Sequence, residues 1–503
     1  MHDMVTARRT VLISSSLCLL LVYFTLAGLA QDRFRAPVER SGYSALTSYD
    51  SLRAFLSTLD GKGPIRVAPI ATTRLGRVVS GCFVSTSARF GQDSLKLRVM
   101  LSAQQHGDEP SGKEALTLLL ARIANHDLDS VLSRIDLLVI PQMNPDGGEL
   151  RQRRTADSID LNRNHLLLSS PEPRGLHDLF ARWQPQVTMD IHEYGPYSKS
   201  WSDSGFIKAA DVQLGMLTNL NSSEALRAYQ RKSVFPFVAA VMREKGFLFH
   251  EYIVGSPDDL IRYSTTEPND GRQSFGILNT LSFIQEGRGG HNPEDNLERR
   301  ATSQLASVEG LLAYCAGNAG EIRSLVSRER LRLMHAAGKP VVLCMDHFPG
   351  AGHLTIPVVA VPSGRDTVWQ VRDLHDTVKA LSTRDLPAGY IIPRDLSSIR
   401  ELLDRHHVQY EVVSTGRTEM ASVYHIDAVQ PDTLEAEWHP KPSLRVEPRE
   451  VFLLEGDIVV TTHQMHSLFL SILLEPESMW GLVKYPAYKF LLQSDVYPIM
   501  RMP

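Results

Sequence analysis

The chain has 503 residues, 43% of them hydrophobic, and a formal net charge of -4, so it can bury a large core and is long enough for two domains. Its charges are spread in mixed signs, with no long basic stripe and no aromatic-basic interleaving, which excludes nucleic acid as an expected partner.

At the N-terminus Arg8 and Arg9 precede an apolar stretch over residues 11–30, closed by the small Ala27, Gly28 and Ala30 ahead of Gln31 and Asp32. This layout predicts a signal peptide over residues 1–30 and a secreted or periplasmic protein. An uncleaved anchor is the alternative, because the run approaches the ~20 residues that span a bilayer; a membrane partner is expected only if the segment is retained. Cys18 lies in that segment, leaving Cys82, Cys315 and Cys344. An odd number cannot all pair within the chain, and no disulfide is expected in a core of this size.

From about residue 45 to 321, short β-rich runs alternate with helical periodicity, which predicts an α/β domain with a mixed, largely parallel central sheet flanked by helices. A strand is expected over 97–102, running into His106-Gly107-Asp108-Glu109-Pro110, with a helix over 112–124 behind Pro110. A strand over 136–141 leads into the turn-forming Asn144-Pro145-Asp146-Gly147-Gly148. Two more, over 187–191 and 278–284, are expected to end at His192 and Glu286. The candidate segments therefore follow strand ends, where ligand crevices form in open α/β sheets. Residues 323–332 read as a charged helical connector. Beyond it, over 331–503, strands at 340–345, 409–413 and 457–462 and a helix at 397–407 predict a second, smaller α/β domain.

His106 and Glu109 can turn toward one point because the Gly107 turn lets the chain curl, and His192 arrives from another strand. Two imidazoles and one carboxylate leave a fourth tetrahedral position open, the arrangement of a catalytic rather than a structural zinc. An H-x-x-E pair is a weak signal alone. The order His106-Gly107-Asp108-Glu109, Asn144-Pro145-Asp146-Gly147, Asp160-Leu161-Asn162-Arg163-Asn164, Asp190-Ile191-His192-Glu193 resembles the zinc carboxypeptidase family, the relatives of pancreatic carboxypeptidases A and B, in its large bacterial type with an accessory C-terminal domain.

The resemblance implies one Zn2+ per chain on His106, Glu109 and His192. It implies that Asn162 and Arg163 bind the C-terminal carboxylate of a peptide, a role suited to a planar guanidinium beside an amide. Arg153, with Arg154 as the neighbouring alternative, would stabilise the developing oxyanion. Phe283-Ile284-Gln285-Glu286-Gly287-Arg288-Gly289 resembles the segment of the family's catalytic base, which assigns that part to Glu286. Tyr263 falls where a mobile substrate-binding tyrosine is expected. Arg272 falls near the specificity pocket, but the adjoining Asn269-Asp270-Gly271 turn makes it a structural arginine. Glu193 is expected to buttress the site, and His250, His291, His406 and His407 to be ordinary surface or core histidines. The expected activity is a metallocarboxypeptidase hydrolysing the C-terminal bond of peptides outside the cytoplasm; the alternative is a zinc amidohydrolase acting on cell-wall peptide or a small acyl-amino acid.

Overall fold

A computed structural model of the protein describes residues 33–434 and 437–503. The expected signal segment lies outside the described residues, and no helix among them is long and apolar enough to cross a membrane. Cys82, Cys315 and Cys344 are free thiols.

The first half of the chain runs through β1 (Ile65–Thr72), β2 (Val78–Val84), β3 (Leu97–Ala103), β4 (Ile135–Ile140), β5 (Val187–Tyr194), β6 (Phe206–Lys208), β7 (Val212–Gly215), β8 (Phe249–Glu251), β9 (Ile253–Gly255), β10 (Ile261–Tyr263) and β11 (Leu281–Arg288). All but β6, β9 and β10 join one eight-stranded sheet in the order β1-β2-β4-β3-β5-β11-β7-β8. Its centre, β4-β3-β5-β11, is parallel, and antiparallel pairings enter on both sides through β2-β4 and β11-β7. β3, β4, β5 and β11 are buried almost throughout, as near-continuous apolar strands covered on both faces must be.

The two faces go to different partners because side chains alternate along a strand. Val99 and Leu101 of β3 point into a core with Leu116 and Leu119 of the helix Ser111–Ala124, Val308 and Leu311 of Leu297–Gly317, and Ile322 of Ala319–Met334. Met100 and Leu138 point the other way, toward Leu176 and Phe180 of the helix Pro171–Trp183. The same core continues without a break into Tyr390, Ile392, Leu470 and Trp480 of the C-terminal region. That region therefore supplies part of the second helical layer's covering.

The C-terminal strands are β12 (Pro340–Phe348), β13 (Thr355–Ala360), β14 (Arg365–Gln370), β15 (Leu374–His375), β16 (Thr377–Asp385), β17 (Gly389–Ile392), β18 (Glu411–Val412), β19 (Arg417–Leu434), β20 (Glu437–Leu453), β21 (Ile458–Thr461) and β22 (Val496–Met502). Six of them form a sheet in the order β18-β21-β17-β22-β19-β20. Two smaller sheets join the halves of the chain: β6 pairs with β13, and β10 with β15.

Three expectations shift. The strand placed at 278–284 begins only at Leu281, because Asn279 takes a left-handed turn conformation with φ 50°. That strand runs through Glu286 to Arg288, and β5 likewise runs through His192 to Tyr194, so both residues lie inside the last turns of their strands rather than after them. The strand expected at 409–413 shrinks to Glu411–Val412.

Candidate metal centre and substrate groove

Three chain segments meet at the C-terminal edge of β3, β5 and β11. Beyond β3 the chain turns through His106 and Glu109, with the Glu109 amide on the His106 carbonyl at 3.2 Å. The turn lies flat on the Asn144-Pro145-Asp146-Gly147 segment, where Asn144 caps the following short helix by accepting from the Gly147 amide at 2.8 Å. Asn144 also donates to the carbonyls of Gln105 and Arg153, tying three of the sequence motifs together. His192 stands opposite Glu286 in the β5-β11 register, so its side chain and that of Glu286 share one face of the sheet.

His106 Nδ1 is 2.8 Å from Glu109 Oε1, His192 Nδ1 is 2.9 Å from Glu109 Oε2, and the two imidazole nitrogens are 3.1 Å apart. The remaining nitrogen of each ring faces a carboxylate: His106 Nε2 meets Asp160 at 3.1 Å and His192 Nε2 meets Asp190 at 2.7 Å. Such partners hold the proton on Nε2 and leave both Nδ1 lone pairs facing one point. Burial alone would raise the Glu109 carboxyl, but the two rings override it and hold it well below the usual carboxylate range. Burial likewise disfavours charge on His192, yet Asp190 and Glu109 raise it well above its ordinary value. Two lone pairs and a carboxylate converging within 4.8 Å suit a small divalent cation with nitrogen and oxygen ligands.

The surroundings brace this cluster. Glu193 turns away from it to accept from Arg300 at 2.7 Å and from Ser111, while its amide donates to Glu109 Oε2 at 3.0 Å. Gln105 donates to Asp190 at 2.6 Å and accepts from the buried His165.

Of the adjacent arginines, Arg153 reaches the cluster: its Nε donates to Asp160 at 3.0 Å and its Nη1 lies 3.1 Å from His106 and 3.6 Å from Glu109. Arg154 instead donates to the Ser158 carbonyl. Glu286 is buried, which raises its carboxyl to about 7, with His192 opposing, Glu109 reinforcing and His106 opposing again. Asn162 accepts from the Gly271 amide at 2.8 Å, and Arg163 pairs with Glu267 at 3.1 Å. Glu267 is pushed up to about 7 by burial, against the pull of Arg163, and Glu437 and Lys484 of the C-terminal region also act on it.

Tyr263 does not join this group. Its ring stacks under Arg231, with the guanidinium 5.2 Å from its centre, and its charged neighbours are Glu251, Arg231 and Asp376. The tyrosine that does is Tyr252: burial raises its hydroxyl, and the charges acting on it are Glu286, Arg272, Arg163 and Glu109. Counting back from Glu286 misses it because β9 and β10 form an inserted ribbon, tied to β15, between Tyr252 and the groove segment at Glu267. Arg272 is fully buried and donates to Asp270, Ser264 and the carbonyls of Met216 and Thr265, a structural arginine in the wall. His250 and His406 are buried in the fold, both held neutral by burial, while His407 sits on the surface against Asp178.

Residues 52–211 match the family model described as zinc carboxypeptidase. The match takes in the metal cluster, Arg153, Asn162 and Arg163 and ends before Tyr252 and Glu286. Carboxypeptidase 2 of Trichophyton rubrum is 26% identical over 431 residues, covering 83% of this chain and 79% of that protein. Carboxypeptidase 2 of Trichophyton tonsurans is 25% identical over 421 residues, covering 81% and 77%. Among solved structures, a metallo-carboxypeptidase from Burkholderia cenocepacia is 20% identical, with 55% of this chain and 71% of that one aligned at a TM-score of 0.43. Residues 52–211 are thus similar to a zinc carboxypeptidase domain, and relatives matched over about four fifths of this chain are carboxypeptidases, which makes the protein a hydrolase of the peptidase class.

Proposed function

We propose that the protein is a zinc-dependent carboxypeptidase that removes C-terminal residues from peptides outside the cytoplasm. The observation that supports this reading is the His106-Glu109-His192 cluster with Glu286 opposite His192 in the sheet, and Tyr252 within the influence of Glu286, Arg163 and Glu109 alike. His106, Glu109 and His192 would hold one zinc ion, which when bound supplies Lewis acidity, polarising a carbonyl and acidifying water.

The chain's own residues then divide the work. Arg163, with Asn162 beside it, holds the free α-carboxylate, which sets the register of the last peptide bond over the cluster. Glu286, whose pKa burial lifts toward neutrality, accepts the proton of the attacking water and returns it to the leaving amine. Arg153 offers its guanidinium to the oxyanion that forms at the carbonyl, and Tyr252, set between Glu286 and Arg163, flanks the bound substrate. The C-terminal region comes near Arg163: the buried Tyr485 senses both Glu267 and Arg163, and Lys484 binds Glu437 at 2.6 Å. The layout of residues 1–30 supports action outside the cytoplasm.

The test is release of single residues from the C-termini of a mixed peptide library by the chain starting at Gln31. Release that chelator and Glu286→Gln both abolish establishes the activity and its side-chain preference. One bound zinc per chain without any release moves the assignment to an amidohydrolase of cell-wall peptide or small acyl-amino acids.

A further inference from the structure

Lys208 ends β6, the strand that the C-terminal region holds by pairing Val358 of β13 with Lys208 itself. Trp201, wholly buried in a small core with Ile356 and Val358, backs this strand. The Lys208 ammonium lies 4.5 Å from the centre of the Tyr194 ring and 5.6 Å from that of Trp201. Among the described residues, no carboxylate lies within ion-pair distance of this ammonium and no hydrogen bond engages it. Burial loosens its proton to about 8, with Glu286 pulling the other way, and its charge is felt by His250. A half-buried cation left without an anion is costly, and stacking on two aromatic faces offsets only part of that cost.

Its place relative to the proposed groove follows from the strand register. β11 and β7 run antiparallel, with Glu286 opposite Gln213 and Ile284 opposite Gly215. At the Ile284-Gly215 end stand Tyr252 and Arg272, and Tyr252 shares its surroundings with Arg163. Past the other end, beyond the Gly287-Val212 pair, the chain leads back through Asp211 to Lys208. Arg163 and Lys208 therefore flank Glu286 from opposite sides. A peptide with its carboxylate on Arg163 and its scissile bond at Glu286 sends the residue before that bond toward Lys208.

We infer that Lys208 is a specificity-determining residue that recognises an acidic side chain on the residue immediately preceding the scissile bond; this rests on the carboxypeptidase reading of the same groove. It also gives the C-terminal region a part in the reaction, since β13 is what holds Lys208 over the groove.

The experiment compares kcat/KM for peptides of one C-terminal residue whose penultimate residue is Glu, Ala or Lys, using wild type, Lys208→Met and Lys208→Glu. Methionine keeps the unbranched chain against Tyr194 and Trp201 and removes the charge. The Glu-to-Ala ratio does not depend on the fraction of protein folded. It is expected to be about tenfold in wild type, to collapse to about one in Lys208→Met, and to give way to a preference for the Lys peptide in Lys208→Glu. A wild-type ratio near one, or a ratio that survives Lys208→Met, overturns the inference. If none of these peptides is cleaved, the carboxypeptidase reading fails by itself, and calorimetric affinities of the same peptides decide the contact. Tighter binding of the Glu peptide that disappears in Lys208→Met sustains it, and equal binding overturns it.

Discussion

Gly107 packs backbone to backbone against Gly147: a Cβ at position 107 would stand 2.1 Å from the Gly147 carbonyl carbon and 2.4 Å from the Gly148 nitrogen. The His106-Glu109 turn and the Asn144-Pro145-Asp146-Gly147 turn can approach this closely only because neither carries a side chain at the contact. Gly107→Ala must push the His106-Glu109 turn off its support, at a cost of about 1–3 kcal/mol typical of overpacking. Metal affinity, measured by chelator competition, is expected to fall at least tenfold. Unchanged affinity would show that the turn tolerates displacement.

Replacing Glu286 by Gln is expected to lower kcat/KM about a thousandfold while leaving metal content intact. The pH profile supplies a second check. A general base acts when ionised, so in the proposed role activity is lost as pH falls through the Glu286 pKa. Burial lifts that pKa to about 7 from an ordinary 4.5, and a bound cation pulls it back down. The acid limb of kcat/KM in wild type should therefore lie between these values, and the residual activity of the Gln variant should lack it.

Arg163 should discriminate a free α-carboxylate from an amide. Wild type is expected to prefer a peptide acid over its C-terminal amide, and Arg163→Gln to reduce that preference about a hundredfold through loss of a charge-assisted contact. Equal loss on both peptides would mean that Arg163 only supports the fold through Glu267, its partner at 3.1 Å.

Three buried histidines link the groove floor to the C-terminal region and set an acid limit on stability. His165 Nδ1 lies 3.1 Å from His177 Nε2, and His406 reaches the Leu166 carbonyl at 2.8 Å. Burial pushes His165 down to about 4 and His406 to about 3, and holds His177 well below 6.5. In the unfolded chain these rings take up protons near pH 6.5, whereas the folded protein resists until about pH 4. Their contribution is thus complete above pH 6.5 and is lost as pH falls below it, by up to ~1.4 kcal/mol per pH unit for each ring. His106 and His192, raised rather than lowered, change protonation above that window. Urea midpoints in chelator should fall steeply between pH 6.5 and 4.5; a flat profile would contradict the buried, neutral assignment.

Much of the groove was readable because its residues come in short local clusters. His106-Gly107-Asp108-Glu109 has a spacing suited to a turn at a strand end, Asn162-Arg163 stand side by side in one short helical turn, and β3, β4 and β5 announce themselves as apolar runs. Tyr252 was not readable: its distance from Glu286 is stretched by the β9-β10 ribbon, whose existence depends on pairing with β15, more than a hundred residues later. Glu267 was missed for a similar reason, since nothing local marks it as the partner of Arg163.

The sequence by itself determined the α/β alternation and the candidate metal-ligand types, because those are properties of neighbouring residues and of periodicity, while the candidate base came from the resemblance to the zinc carboxypeptidase family. Only the tertiary structure decided which of two adjacent arginines turns inward, which tyrosine faces Glu286, and that the C-terminal region completes the core over Met100 and Leu138 and carries Lys208 to the groove. Those outcomes depend on strand register and on contacts between residues far apart in the chain, where a shift of one residue turns every side chain to the opposite face.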